Sequence, residues 1–216
     1  VTVLTRSNAP AESREQRDGI KICRVGRSAP EPPDFVSWVM QLNLQLMEKA
    51  VSMVEDGEDF DLIHAHDWLV AYAGKGLKHA FRKPLVATVH ATEWGRNNGL
   101  HNELQRYISN VEWWLGFEAW RVICCSRYMR GELQRIFQLP LNKLRVIPNG
   151  VYPEPFRRQA GDVRAIRRKY AADDEQVVFY VGRLVFEKGL DLLLAAAPRI
   201  LAHNEKVKFI IAGKGP

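Results

Sequence analysis

Between residues 62 and 147, short apolar runs alternate with stretches of helical periodicity, and this alternation restricts the fold more than any other feature of the chain. Strands are expected at residues 62–65, 85–89, 122–125 and 144–147, with helices near 69–80, 103–120 and 127–137 between them. Strands joined through helices run parallel, and a parallel sheet needs helices over both of its faces. The fold class is therefore α/β. Ahead of this block, residues 1–5 and the alternating run 20–25 read as two neighbouring strands separated by a polar loop. Pro30 to Pro33 breaks the chain and Asp34 is placed to cap a helix. Phe35, Val39, Leu42, Leu46, Ala50 and Met53 then recur at helical spacing.

After Pro148-Asn149-Gly150 the sequence turns basic and polar, with Pro153, Pro155, Arg157 and Arg158, so a lobe boundary is expected near residue 155. A helix at 163–170, a strand at 177–181, a helix at 190–201 and a strand at 207–212 follow. One strand–helix–strand unit cannot bury both faces of its sheet, so this second lobe, residues 156–216, reads as only begun. The first, residues 1–155, reads as nearly complete but lacking its first strand. Both ends look cut, since the chain opens without Met in a strand and stops in a glycine-containing loop.

A formal net charge of +6 suits an anionic ligand. Arg and Lys are scattered along the chain without an aromatic-basic motif, so phosphate-bearing small molecules fit better than nucleic acid. Three cysteines, two of them adjacent at Cys124 and Cys125, make no disulfide framework and have no metal-ligand spacing, which suits a reducing cytoplasm. No apolar run approaches the roughly 18 residues that span a bilayer, which leaves only peripheral membrane contact open.

The densest chemical signal is Tyr180-Val181-Gly182-Arg183-Leu184-Val185-Phe186-Glu187-Lys188-Gly189-Leu190. A strand ends at Gly182 and a helix starts after Gly189, which sets Arg183 and Lys188 in the loop at the helix's positive end. Free N–H groups, the helix dipole and two cations together suit a diphosphate. Taken singly, a Gly-Arg pair fits an ordinary loop with solvated charges equally well. Gly182-Arg183-Leu184 followed by Glu187-Lys188-Gly189 resembles the donor loop of the family-4 retaining glycosyltransferases. Three more segments fit in order: residues 61–68 with His64, His66 and Asp67, residues 86–90 ending in His90, and residues 146–151.

The resemblance implies a GT-B arrangement of two Rossmann-like lobes, nearest the glycogen and starch synthase-like branch. It also implies transfer of a hexose from a nucleoside-diphosphate sugar to an acceptor hydroxyl with retention of configuration, possible glucan synthesis included. Gly182, Arg183, Lys188 and Gly189 would hold the donor diphosphate, with no cofactor and no metal needed. His90 would be catalytic, facing the donor sugar. His66, Asp67, Glu93 and Arg96 would line the sugar and acceptor cleft, and Asn149-Gly150, read as a tight turn, would serve as a hinge.

Plainer readings stand beside these. A strand-end histidine bonded to backbone explains His90, a satisfied structural histidine explains His64, and a loop ion pair explains Glu93 with Arg96. The dense aromatics Trp113, Trp114, Phe117 and Trp120 are expected to pack in the core rather than form a sugar platform. Ser126 reads as an N-cap. The glycine-rich loop after a first strand and the acidic pair in the second lobe that the family pattern carries are missing from this sequence, so the chain alone is expected to be inactive. The rival functions are a sugar-nucleotide epimerase of the same fold, a dinucleotide-binding module and an inactive binding fragment.

Overall fold

The computed structural model describes residues 1–26, 31–154, 157 and 163–215. Pro30, Pro155, Arg158 and the boundary expected near residue 155 lie outside them. The chain forms two compact units, Val1–Asn149 and Gly150–Pro216.

In the first unit, β1 (Thr2–Arg6) pairs in parallel with β3 (Ile20–Val25). An additional strand, β2 (Ser13–Arg17), folds back antiparallel on β3. The polar loop expected there is thus a hairpin, turned by Asp18 and Gly19 with φ of 52° and 78°. Two successive positive φ values suit the twist of paired strands, and Asp-Gly adopts them readily. Helix α1 (Phe35–Glu55) is capped by Asp34, whose Oδ1 accepts the Ser37 N–H at 2.9 Å. Its apolar stripe buries Val39, Leu42, Leu46, Ala50 and Met53.

The expected alternation then follows: β4 (Ile63–His66), a 3-10 turn, α2 (Ala71–Phe81), β5 (Leu85–Val89), α3 (Glu93–Asn97), α4 (Glu103–Glu118), β6 (Arg121–Cys124), α5 (Arg127–Phe137) and β7 (Leu144–Val146). Strands β4-β5-β6-β7 form one parallel sheet in sequence order. Buried Leu85, Ala87, Val122 and Cys124 from that sheet meet Leu115 of α4 and Leu133 of α5. Burying each leucine side chain contributes about 1.5–3 kcal/mol. Asn43 pins α1 to the next layer, donating to Val39 O and Leu69 O at 2.7 Å and accepting the Ala73 N–H at 2.8 Å. The two sheets of this unit do not join among the described residues. Strands β1 and β4 both line a largely apolar groove of about 480 Å³.

The aromatic reading of α4 is corrected. The helix buries Ile108, Val111, Glu112 and Leu115, so Trp113 and Phe117, on the opposite side, are 45% and 62% exposed. Trp120, past the helix end, is 60% exposed, and only Trp114 packs against the core. The tight turn at Asn149-Gly150 is also corrected: the backbone makes no turn there and Gly150 does not have positive φ.

In the second unit, α6 (Val163–Arg168) precedes β8 (Gln176–Val181), which pairs in parallel with β9 (Val207–Ala212) across α7 (Leu190–His203). No helix of the described residues is long and apolar enough to cross a membrane.

Candidate functional site

Register brings the carboxyl ends of the four parallel strands level. His66 pairs with Thr88, Val89 with Cys124, and Cys124 with Val146. The residues at or just past those ends therefore stand in a row, where open α/β sheets bind their ligands. Contact is direct along the row. His66 Nδ1 lies 3.1 Å from His90 Nε2, His90 Nδ1 lies 3.5 Å from Cys125 Sγ, and Cys125 Sγ lies 3.6 Å from Asn149 Oδ1. Cys125 joins this row, although its apolar sequence context gave it no prominence.

Asp67 fastens the row. Its N–H donates to Thr88 O at 2.8 Å, and its Oδ1 accepts the His90 N–H at 2.8 Å. Its backbone has φ 60° and ψ 176°, a region open almost only to glycine, at a strain of about 1–3 kcal/mol. The two hydrogen bonds hold it there, so the strain falls at the junction of two predicted site segments.

His64, His66 and His90 form one imidazole cluster, with ring centroids 4.3 Å apart for His64–His66 and 5.4 Å for His66–His90. His64 Nε2 meets the Thr88 hydroxyl at 2.7 Å, which satisfies it as a structural histidine. Burial, and then the charges of His66 and His90, push the His64 pKa below its ordinary value. Burial and His90 do the same to His66, against the opposing pull of Asp67. Both imidazoles are therefore neutral through a wider pH range than a free histidine. A His90→Ala variant is expected to move the His64 and His66 titrations up toward 6.5, read from imidazole NMR shifts. Unmoved titrations would show that the three rings do not interact. Among the described residues, no three His, Cys, Asp or Glu side chains converge as a metal site.

Beyond β5, Thr92 caps α3 by accepting the Gly95 N–H at 2.9 Å. Glu93 accepts from the Asn97 amide at 2.9 Å and lies 3.8 Å from Arg96 Nη1, so the expected ion pair is present, but within the short helix α3 rather than in a loop. Ser126 caps α5 through the Met129 N–H at 3.0 Å. Two buried carboxyl groups with no local signal in the sequence support α3: Glu112 accepts the Glu93 N–H and Glu132 accepts the Thr92 hydroxyl.

The second unit carries the loop expected from the sequence to hold a diphosphate. Gly189, with φ 65°, both ends a 3-10 turn over Phe186–Lys188 and opens α7 without any side-chain cap. The N-terminal N–H groups of a 14-residue helix are thus left unblocked by a capping side chain beside Lys188. Arg183 is paired with Glu187 at 3.0 Å while remaining 68% exposed. Such an exposed pair contributes under about 1 kcal/mol, so Arg183 is readily exchanged to another anion. The Leu184 N–H donates to Lys214 O at 2.9 Å, which sets the Gly213–Gly215 backbone alongside.

The Glycosyltransferase Family 4 model matches residues 1–155. The chain belongs to this family. The model for glycosyl transferases group 1 matches residues 162–216. A glycosyltransferase of Methanocaldococcus jannaschii is 36% identical over 206 residues, covering 93% of this chain and 51% of the relative. Glycogen synthase of Mycobacterium tuberculosis is 32% identical over 213 residues, covering 94% and 49%. The chain spans about half the length of these relatives. Among solved structures, sucrose-phosphate synthase of Thermosynechococcus elongatus superposes with a TM-score of 0.73 at 20% identity, covering 98% of this chain and 60% of that one. Anabaena HepE, in complex with UDP and glucose, gives 0.62 at 21%, covering 79% and 43%. At these identities the likeness is one of fold, the GT-B class of α/β glycosyltransferases.

Proposed function

We propose that the family-4 glycosyltransferase to which this chain belongs moves a hexose from a nucleoside-diphosphate sugar to an acceptor hydroxyl with retention of configuration, in the manner of a glucan synthase. The observation that carries this reading is the row of contacting side chains on four adjacent strand ends, His66, His90, Cys125 and Asn149. That HepE binds UDP and glucose supports a nucleotide-sugar donor for this fold. In this reading Gly182, Arg183, Lys188 and Gly189 hold the diphosphate. His66, Asp67, Glu93 and Arg96 serve the sugar and acceptor, and Asn149-Gly150 joins the two units as a hinge.

In transfer, the bond from anomeric carbon to phosphate oxygen breaks and its electron pair leaves on the diphosphate. The acceptor oxygen bonds to the same carbon, and its proton passes to the oxygen of the departing diphosphate. Cations at the leaving group stabilise charge that develops only as the bond breaks, and such differential stabilisation raises turnover. His90 acts at the reacting carbon.

A panel of nucleoside-diphosphate hexoses, offered to the whole protein with and without glucan acceptor, tests this. Transfer from one donor, with the product anomer matching the donor by NMR, is the expected result. Release of free epimerised sugar without acceptor would replace the reading with an epimerase, and no consumption of any donor would end it. A His90→Ala variant is expected to lose about a hundredfold in kcat while donor affinity changes little. Unchanged kcat with weakened donor binding would remove His90 from the reaction.

A further inference from the structure

The α3 segment carries Glu93 and Arg96 and follows directly on His90, yet none of the residues of α3 is buried. Apolar packing therefore does little to fix it. Its anchorage is polar, through two carboxylates reaching from separate helices. Glu112 of α4 is 3% exposed and sets both of its oxygens 2.9 Å from the Glu93 N–H. Glu132 of α5 is 5% exposed and accepts the hydroxyl of Thr92, the residue that caps α3. Gly95 is fitted to this arrangement, because a Cβ at that position would stand 2.8 Å from Glu132 Oε1. Glu112 also lies within electrostatic reach of Asp67, which holds the His90 N–H. Burying a carboxyl group costs free energy unless it is hydrogen-bonded, so two of them behind one short segment with no buried residue call for a role beyond filling space.

We propose that Glu112 and Glu132 are positioning residues for sugar transfer, fixing the α3 segment so that Glu93 and Arg96 stand beside the His66–His90 row. Their effect passes through the Glu93 peptide and the Thr92 side chain. The positioning role in transfer rests on the glycosyltransferase function proposed above. The clamp itself does not depend on that function.

Glu112→Leu and Glu132→Leu remove the acceptors at similar volume, whereas Glu112→Gln and Glu132→Gln keep an acceptor oxygen. Amide hydrogen exchange on the whole protein is expected to be at least about tenfold faster across residues 91–98 in the Leu variants, with the body of α4, α5 and the sheet unchanged. The Gln variants restore protection. For transfer, the Leu variants are expected to lose roughly a hundredfold in kcat, the size of an ångström-scale misplacement, while nucleoside-diphosphate affinity stays within twofold. A Gly95→Ala variant, which pushes a methyl group against the Glu132 carboxyl while both acids stay in the sequence, loosens the same residues. Unchanged exchange at 91–98 in both Leu variants would overturn the clamp. Loosening spread evenly over α4 and α5 would assign the two acids to general stability and equally overturn the positioning role. Were the wild-type protein to transfer no sugar from any donor, the proposed function would fall, and the exchange data would still decide the clamp.

Discussion

Arg183→Ala and Lys188→Ala are each expected to lower kcat/KM for sugar transfer by the equivalent of about 2–4 kcal/mol, the loss seen when one preorganised charge-stabilising group is removed. The geometry explains why the loss falls on the reaction rather than on folding. The Arg183 side chain is largely exposed and pairs with Glu187 at 3.0 Å, an i,i+4 surface pair whose removal changes stability by a few tenths of a kcal/mol. Lys188 is exposed and ends the 3-10 turn before Gly189, whose left-handed backbone redirects the chain into α7. Truncating either side chain leaves this backbone in place, so thermal unfolding shifts little. Binding of free nucleoside diphosphate weakens in both variants and becomes less sensitive to salt, because one cation–phosphate attraction is gone. Glu187 supplies an opposite control. It competes for Arg183, so Glu187→Gln leaves diphosphate affinity unchanged or tighter. Calorimetry showing that both Ala variants bind nucleoside diphosphate like the parent would remove this loop from the donor site.

How much of this was legible in the sequence depends on the range of the physics involved. The apolar runs at 85–89 and 207–212 and the helix at 127–137 match β5, β9 and α5, because local periodicity and caps such as Asp34 and Ser126 decide them. Strand β2 escaped because Ser13–Arg17 contains no apolar residue and every position is exposed; the Asp18-Gly19 pair was its one readable sign. The aromatics of α4 misled for a different reason. Their spacing on one helix suggested a core, but the helix's phase is set by Ile108, Val111 and Leu115, which leaves Trp113 and Phe117 on the outer face.

The candidate site shows the same division. Strand ends locate His66, Asp67 and His90 within one sheet from local pattern alone. Parallel register, a long-range property, is what brings Cys125 and Asn149 onto the same row. Glu112 and Glu132 lie 19 and 40 residues from the groups they bind, and nothing in their local sequence separates a buried acid from a solvated one.

Stability across neutral pH provides the second large effect, and it comes from Glu112. Burial drives its pKa from 4.5 to about 8, with Glu93 and Asp67 adding like-charge repulsion, while the Glu93 N–H and Arg96 pull the other way. Between those two values the folded protein holds a proton on Glu112 that the unfolded chain has released. Stability contributed by this group is therefore present in full below pH 4.5 and is lost as pH rises through about 8, above which both states are ionised. The slope approaches about 1.4 kcal/mol per pH unit within the window. His64 and His66 bias the curve the other way, because pKa values lowered by folding cost stability as pH falls below 6.5. A Glu112→Gln variant isolates the carboxyl, since it keeps an oxygen for the Glu93 N–H and cannot ionise. Its stability relative to wild type, from urea unfolding at intervals between pH 5 and pH 9, is expected to climb by a few kcal/mol and level off near pH 8. A difference that stays flat over that range would mean that Glu112 is already ionised at pH 5 in the folded protein, and that Arg96 and the Glu93 peptide outweigh its burial.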